Sequence, residues 1–192
     1  LFHFLLVPCT FAGMMVPAWL PGRPFLDPFT IYLQQADTYQ SLTKNAPNLY
    51  QWLPDSQYDL FYPAGMVFAL AVVGLFIWVV HKSGVELHNG RLLQVALLSA
   101  LLLPTLLPKM HERYFFAADL LALLLVFFYP RLWPVPLLVM AASLFSYFPY
   151  LFEMIVVPLP LLAFLPLAAI IILLWHLLAQ PAERIMNHSR YF

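Results

Sequence analysis

Cysteine, charge and glycine are all scarce in this chain of 192 residues. The single cysteine, Cys9, allows no disulfide within the chain and no cysteine-based metal cluster. Charged residues make up only 9% of the sequence, against about 25% in ordinary soluble domains. Nine basic residues balance nine acidic ones, so no excess charge points to nucleic acid or to an acidic partner.

The motifs of several large enzyme classes are missing as well. The sequence contains no Walker loop, Rossmann glycine motif, CxxC pair or HExxH motif. ATP hydrolysis, dinucleotide chemistry and zinc hydrolysis therefore have no motif here, and the sequence predicts neither a metal nor a cofactor.

Hydrophobic residues, in contrast, make up 63% of the chain, and aromatic residues 17%. This composition excludes intrinsic disorder, because disordered chains are poor in aliphatic and aromatic residues. A soluble domain could not cover so much apolar surface with polar groups. The composition therefore predicts a polytopic membrane protein of the all-α class.

Six stretches resemble membrane-spanning helices, which need about 20 apolar residues to cross a hydrocarbon core about 30 Å thick. They are residues 2–20, 61–81, 92–108, 114–130, 134–152 and 155–179. The predicted organisation is a span at 1–21, a loop at 22–60, five further spans at 61–179 and a tail at 180–192. Within the loop, residues 29–39 can form an interfacial helix.

The basic residues near the ends of the spans predict an orientation. With the loop 22–60 outside, the cytoplasmic side holds Lys82, Arg91, Arg131, Arg184 and Arg190, and the outside holds Arg23, Lys44, Lys109 and Arg113. This small cytoplasmic excess follows the positive-inside rule. The segment 108–113 then lies on the same outer side as the loop.

The long loop contains a segment whose composition suits a sugar. Residues 42–54 mix amides, hydroxyls and aromatic rings with two prolines. Such residues favour a rigid loop that hydrogen-bonds a polyhydroxyl ligand and stacks rings on its apolar faces. The candidate sugar-binding or orienting residues are Asn45, Asn48, Tyr50 and Trp52. The alternative is an ordered surface loop with an aromatic belt.

A cluster of ionisable residues lies between the third and fourth predicted spans. It contains Lys109, His111, Glu112 and Arg113, and Asp119 follows. The N-terminus of the following helix attracts an anion, and the three basic side chains strengthen that field. Because arginine can hold phosphate through two parallel hydrogen bonds, the cluster predicts a phosphate-binding site. The alternative is a charged turn that only anchors two helix ends.

Helical spacing places Glu112 and Asp119 on one side of a helix and Lys109 and Arg113 on another. Asp119 would lie about 10 Å deeper in the membrane than Glu112, at a rise of about 1.5 Å per residue. A carboxylate at that depth should face protein or water and is a functional candidate. A structural pairing of Asp119 with Arg113 or Lys109 is the alternative.

The sequence LPKMHERYF at 107–115 resembles the His-Glu-Arg/Lys motif of the GT-C glycosyltransferases. More narrowly, it is similar to bacterial proteins related to the GPI-anchor mannosyltransferases and to the dolichyl-phosphate-glucose-dependent glucosyltransferases. The sequence LTKNAPNLY at 42–50 resembles the exoplasmic loop that precedes this motif in the bacterial members. The order of spans and loops fits their C-terminal half, and the resemblance covers roughly residues 10–130.

The resemblance implies an integral-membrane enzyme that passes a mannose-like hexose from a polyprenyl-phosphate carrier to an exoplasmic acceptor. Lys109, His111 and Arg113 would bind the donor phosphate, and Glu112 would orient Arg113 or His111 or bind sugar hydroxyls. The family's catalytic base, commonly an Asp in the first exoplasmic loop, is expected upstream of Leu1. The resemblance implies a bacterial inner membrane as the location, with membrane lipids and the lipid-linked sugar as partners; a larger membrane assembly is a further possible partner.

Two other functional classes stay open. A non-catalytic subunit of a larger membrane complex would fit the modest length, although an unused charged cluster is costly in a membrane. A proton- or ion-conducting subunit would use Asp119, Glu112 and His111 as a relay. A relay needs groups spaced across the bilayer, whereas most of these lie at one edge.

Overall fold

A computed structural model describes residues 2–27, 30, 40–84 and 88–188, with side chains described between residues 5 and 179 of those ranges. The chain divides into two units, residues 1–40 and 41–192. The first unit contains helix α1, Phe2–Trp19, followed by a turn in which Gly22 has a φ of 98°. The interfacial helix predicted at 29–39 lies outside the described residues, apart from residue 30.

The second unit is almost entirely helical. Its described residues form α2 (Tyr58–Lys82), α3 (Asn89–Leu106), α4 (Phe116–Phe128), α5 (Pro134–Phe152), α6 (Leu159–Leu162) and α7 (Phe164–His188). Short 3-10 helices cover Leu49–Trp52, Asp55–Gln57, Glu112–Phe115 and Pro130–Leu132. Two short strands, β1 (Thr43–Lys44) and β2 (Met110–His111), pair in parallel.

Four segments of the described chain are long and apolar enough to cross a membrane. They are Asp55–Lys82, Asn89–Leu106, Pro130–Phe152 and Leu159–Ala179. Each overlaps a predicted span, so the prediction of an all-α transmembrane helix bundle is confirmed. These four segments indicate an integral membrane protein.

The other two predicted spans are shorter helices. The described apolar part of α1 covers Leu5–Trp19, and α4 has 13 residues. Helix α4 is about 20 Å long at about 1.5 Å per residue, less than the hydrocarbon core. It is short because the chain enters it through the 3-10 turn Glu112–Phe115 and leaves it at Tyr129, before a proline.

Small side chains at helical spacing contribute to the buried contact between α4 and α5 in the second unit. The buried residues of α4 are Ala118, Ala122 and Leu125, and those of α5 include Val139, Ala142, Ser143 and Ser146. Such small residues let helix backbones approach closely. In lipid no hydrophobic effect acts between helices, so the van der Waals contacts of this close approach drive their packing. The outward faces carry large exposed apolar side chains, such as Phe127 and Trp175, as expected beside lipid.

A buried amide joins α3 to α7. Gln94 Nε2 donates to the carbonyl of Leu173 at 2.8 Å, and Gln94 Oε1 lies 3.3 Å from Nδ1 of His176. The His176 ring in turn meets the ring of Tyr129 edge-on, with centroids 4.8 Å apart. Both polar ends of Gln94 thus have partners, so its burial costs little.

Candidate functional site at the strand pair

The loop before α2 and the ionisable cluster after α3 meet in a parallel strand pair. Thr43 pairs with Met110 and Lys44 with His111. The backbone N–H of Lys109 donates to the carbonyl of Leu42 at 2.7 Å. Because α2 leaves this end of the bundle and α3 returns to it, residues 41–57 and the cluster lie at the same end of the second unit.

Unusual backbone conformations flank the pairing. Asn45, which forms a further bridge with His111, has a φ of 54°, and Lys109 has a φ of 61°. Non-glycine residues in this left-handed region cost about 1–2 kcal/mol each. The surrounding hydrogen bonds must offset that cost, which makes this junction a locally strained feature of the kind often found at functional sites.

Tyr50 anchors the loop to the bundle. Its hydroxyl donates to the carbonyl of Leu106 at 2.8 Å, at the end of α3, and only 4% of its surface is exposed. Burial raises the pKa of the Tyr50 hydroxyl, which keeps it a hydrogen-bond donor. The ring lies against Gly65 of α2, where a Cβ would overlap the tyrosine hydroxyl.

Further contacts hold the same loop in place. Oδ1 of Asn48 accepts from the backbone N–H of Tyr50 at 3.2 Å, and Oδ1 of Asp55 accepts from that of Leu42 at 2.7 Å. Trp52 Nε1 donates to the carbonyl of Pro160 at 3.1 Å. The loop is therefore an ordered part of the second unit.

The four loop residues predicted to bind sugar divide into two pairs. Asn48 and Tyr50 are buried and hold the loop itself, so their assignment to sugar binding rests on the sequence alone. Asn45 is half-buried beside His111, and Trp52 is 40% exposed, so both remain accessible to a ligand. Their assignment stays a prediction.

The cations of the cluster separate in the structure. His111 and Arg113 share one neighbourhood with Lys44, which the sequence did not assign to the phosphate site. Lys109 is directed elsewhere, and its Nζ lies 5.0 Å and 5.1 Å from the ring centroids of Tyr58 and Tyr62. These rings are stacked, with centroids 5.3 Å apart, and stabilise the ammonium group by cation–π interaction.

The charges around His111 tune its protonation. Burial lowers the pKa of the His111 imidazole most, Arg113 and Lys44 lower it further, and Glu112 opposes them. His111 is therefore neutral near pH 7 and can donate one hydrogen bond to an anion. An anion beside these groups would raise the pKa again by offsetting the charges of Arg113 and Lys44.

Glu112 and Asp119 belong to a segment that packs against helix α5. The turn that carries Glu112 packs against α5, and this carboxyl residue is only 7% exposed. Oδ2 of Asp119 accepts from the hydroxyl of Ser143 at 2.8 Å. Tyr147 lies within electrostatic range of Glu112, Asp119 and Arg113. Among the described residues, Asp119 forms no ion pair with Arg113 or Lys109, so the alternative pairing is not observed.

The sequence reasoning did not assign three residues of this arrangement to the candidate site. Lys44 joins the cluster only through a strand pair two residues long, for which the sequence carries no periodic signal. Ser143 and Tyr147 lie within a long apolar segment. Their spacing of four residues, which puts them on one helix face, was the available signal.

Comparison with known proteins gives no relative for this arrangement. The chain matches no family model, no curated protein and no solved structure. Within the described part of the chain, no group of three His, Cys, Asp or Glu residues is placed to hold a metal ion.

Proposed function

We propose that this chain is part of an integral-membrane glycosyltransferase of the GT-C type. It would move a mannose-like hexose from a polyprenyl-phosphate carrier to an acceptor on the exoplasmic side of a bacterial inner membrane. The proposal rests on the strand pair, because it places Lys44 beside His111, whose pKa is also lowered by the nearby charge of Arg113.

The chemistry of these three side chains suits a phosphate diester held at a membrane surface. Arg113 is exposed and offers a planar set of donors that match phosphate oxygens. Lys44 supplies a second positive charge, and His111 supplies a neutral N–H. The apolar outer faces of the helices give the polyprenyl chain a surface compatible with lipid.

The proposed reaction places a growing negative charge beside these residues. The acceptor hydroxyl oxygen bonds to the anomeric carbon, and the bond from that carbon to the phosphate oxygen breaks. The electron pair stays on the polyprenyl phosphate, and the hydroxyl proton goes to a carboxylate base. The resemblance assigns that base to a loop upstream of Leu1.

Fixed donors beside the leaving phosphate would stabilise the transition state more than the ground state. The phosphate gains charge only as the glycosidic bond breaks, so Arg113 and Lys44 bind it more strongly at that point. As charge accumulates, His111 could also take up a proton and add a third cation. Loss of one such donor typically lowers the rate about 100-fold or more.

Replacement of Arg113 by alanine tests the proposal. In membranes supplied with polyprenyl-phosphate mannose, the Arg113→Ala variant should lose sugar transfer while its level and membrane insertion stay normal. Arg131→Ala is the matched control, because Arg131 is also exposed but lies in the turn after α4, at its other end. Normal transfer by the Arg113→Ala variant would refute the phosphate assignment and favour the non-catalytic subunit.

A further inference from the structure

An exposed apolar segment connects α5 to α6. Residues 150–152 end α5, and residues 153–158 belong to neither a helix nor a strand. Every residue from 150 to 156 is exposed, whereas a packed helix exposes one face and buries the other. The large apolar side chains of this stretch, each between 46% and 71% exposed, are Tyr150, Leu151, Phe152, Met154, Ile155 and Val156.

The segment lies at the end of the second unit that also carries the strand pair. Helix α6 packs against the 3-10 helix Leu49–Trp52, which follows β1 in the chain. Trp52 Nε1 donates to the carbonyl of Pro160 at 3.1 Å, and the Trp52 ring meets that of Phe164 with centroids 4.8 Å apart. These contacts fix the far end of the connection, and α5 fixes its beginning.

The length of α5 places the segment at a membrane surface. Helix α5 has 19 residues and so rises about 28 Å at about 1.5 Å per residue. Exposed Arg131 and Trp133 come just before it, and such residues mark the boundary between lipid and water. A hydrocarbon core about 30 Å thick that begins there ends close to Phe152. Residues 153–156 therefore reach the opposite boundary.

The chemistry of the segment fits that boundary better than it fits water or the hydrocarbon core. A run of exposed apolar side chains is unfavourable in water. The irregular backbone of residues 153–158 is unfavourable in the core, because lipid cannot satisfy its polar groups. Exposed Glu153, which ends α5 with a φ of 51°, adds a charge that the core would also disfavour. Lipid headgroups and their water can accommodate both the backbone and the carboxylate.

We infer that residues 150–156 form an interfacial anchor, which binds the lipid surface on the side of the strand pair. Its apolar side chains enter the upper part of the acyl chains, to the depth of about 5–10 Å that is typical of interfacial segments, and Glu153 stays among the headgroups. The anchor thereby fixes the height of the strand pair relative to the membrane surface.

Continuity with the outer face of α5 identifies lipid, and not a second protein, as the partner. Leu144 and Leu151 are seven residues apart, so they lie on one face of the helix, and both are exposed. Such an apolar outer face is what a membrane-spanning helix turns to lipid. The segment extends this face to the membrane surface without an intervening polar patch, since Glu153 is its one charged residue.

Single cysteines measure whether the segment is in water. Each is introduced into the full chain together with Cys9→Ser, which removes the one native thiol, and the protein is placed in phosphatidylcholine nanodiscs. Ser56→Cys is the reference, because Ser56 is exposed in the polar turn Asp55–Gln57 at the same end. Ser56→Cys should react readily with a membrane-impermeant maleimide, and Ile155→Cys should lose most of that reactivity.

Nitroxide-labelled lipids measure the depth of the segment. A fluorophore attached to the Ile155→Cys variant should be quenched more by a nitroxide near the ester end of the acyl chain than by one near the methyl end. Leu144→Cys is the matched deep site, since Leu144 is exposed on α5 about 12 Å before Phe152 at about 1.5 Å per residue. Its fluorophore should show the reverse order of quenching.

Each other result overturns the inference. Equal maleimide rates for Ile155→Cys and Ser56→Cys would show that the segment is no more protected by lipid than a polar turn is. Protection from maleimide without quenching by either nitroxide lipid would show that protein covers the segment, either another part of the chain or a second copy. Stronger quenching from the methyl end, as expected at Leu144, would place the segment in the hydrocarbon core and not at the surface.

Discussion

Lys44 and His111 are register partners in a parallel strand pair, although helices α2 and α3 separate them in the sequence. The pair brings a lysine from the loop into the neighbourhood of a histidine whose pKa burial, Arg113 and Lys44 all lower. The positive charges of Lys44 and Arg113 disfavour the imidazolium form of His111. An anion bound between them would reverse that effect, which is the reason to regard the pair as a binding feature.

Replacement of Lys44 by alanine should weaken binding of a short-chain polyprenyl phosphate by about 10- to 100-fold. The reason is the loss of one charge-assisted contact to phosphate, worth on the order of 1.5–3 kcal/mol. Lys82→Ala is the control, since Lys82 belongs to the last turn of α2, at the far end of that helix. Equal affinity of the Lys44→Ala and wild-type proteins in titration calorimetry would remove Lys44 from the site.

The lowered pKa of His111 predicts a pH dependence of stability. Between the folded pKa and the unfolded value of about 6.5, the unfolded chain binds more protons, so stability rises with pH. This contribution is fully present above the unfolded value and is lost as pH falls toward the folded one. Thermal unfolding should therefore show a shallower pH slope for His111→Gln than for the wild type below about pH 6.5.

The same histidine predicts how phosphate binding responds to pH. A bound phosphate favours the imidazolium form, so binding takes up a proton near neutral pH. The affinity of the wild type for polyprenyl-phosphate mannose, a diester that keeps one negative charge over this range, should rise as pH falls from about 7.5 to about 6, near the unperturbed pKa of histidine. His111→Gln should lose most of that dependence, and an identical pH profile in both proteins would contradict the placement of His111 at the phosphate.

The helices could be predicted from sequence because long apolar segments carry a strong signal. Predicted spans at 61–81 and 134–152 overlap Tyr58–Lys82 and Pro134–Phe152. The fourth predicted span, 114–130, extends beyond the helix Phe116–Phe128, since residues 114 and 115 belong to the 3-10 turn Glu112–Phe115. That turn depends on packing against α5, which no local pattern reveals.

The candidate site could be predicted only in part. The sequence indicated the ionisable cluster and the polar loop, but the directions of individual side chains depend on backbone and tertiary contacts. Lys109 has a positive φ, and its ammonium group lies near the rings of Tyr58 and Tyr62. Neither feature is suggested by a lysine at this position of the sequence. Tyr50 points into the bundle, although its polar tip made it as plausible a ligand contact as Trp52.

The buried hydrogen bonds of the Gln94 side chain predict that replacing this residue lowers the free energy of unfolding. Gln94→Leu has a similar volume but leaves His176 without its amide partner, so the free energy of unfolding should fall by about 1 kcal/mol, in the range of hydrogen bonds between membrane helices. Gln51→Leu is a control in the loop, because its Nε2 bonds only to the nearby carbonyl of Ala46 among the described contacts. Denaturant unfolding in detergent would measure both, and equal stability of Gln94→Leu and wild type would show that the buried bonds contribute nothing net.

Two glycines of helix α2, Gly65 and Gly74, allow a test of how Tyr50 holds the loop against the bundle. Alanine at either position changes the helix in the same way, but only alanine at Gly65 would meet Tyr50. Gly65→Ala should displace Tyr50, break its hydrogen bond to Leu106 and destabilise the loop by about 1–3 kcal/mol, as overpacking does. Gly74→Ala makes the same change in the same helix with nothing within 4 Å, so it should be neutral or slightly stabilising. Limited proteolysis at residues 41–57 should then be faster only in Gly65→Ala, and the additional change Tyr50→Ala should remove the clash without restoring the anchor. If both glycine variants resisted proteolysis as the wild type does, the Tyr50 contact would not be what holds the loop against the bundle.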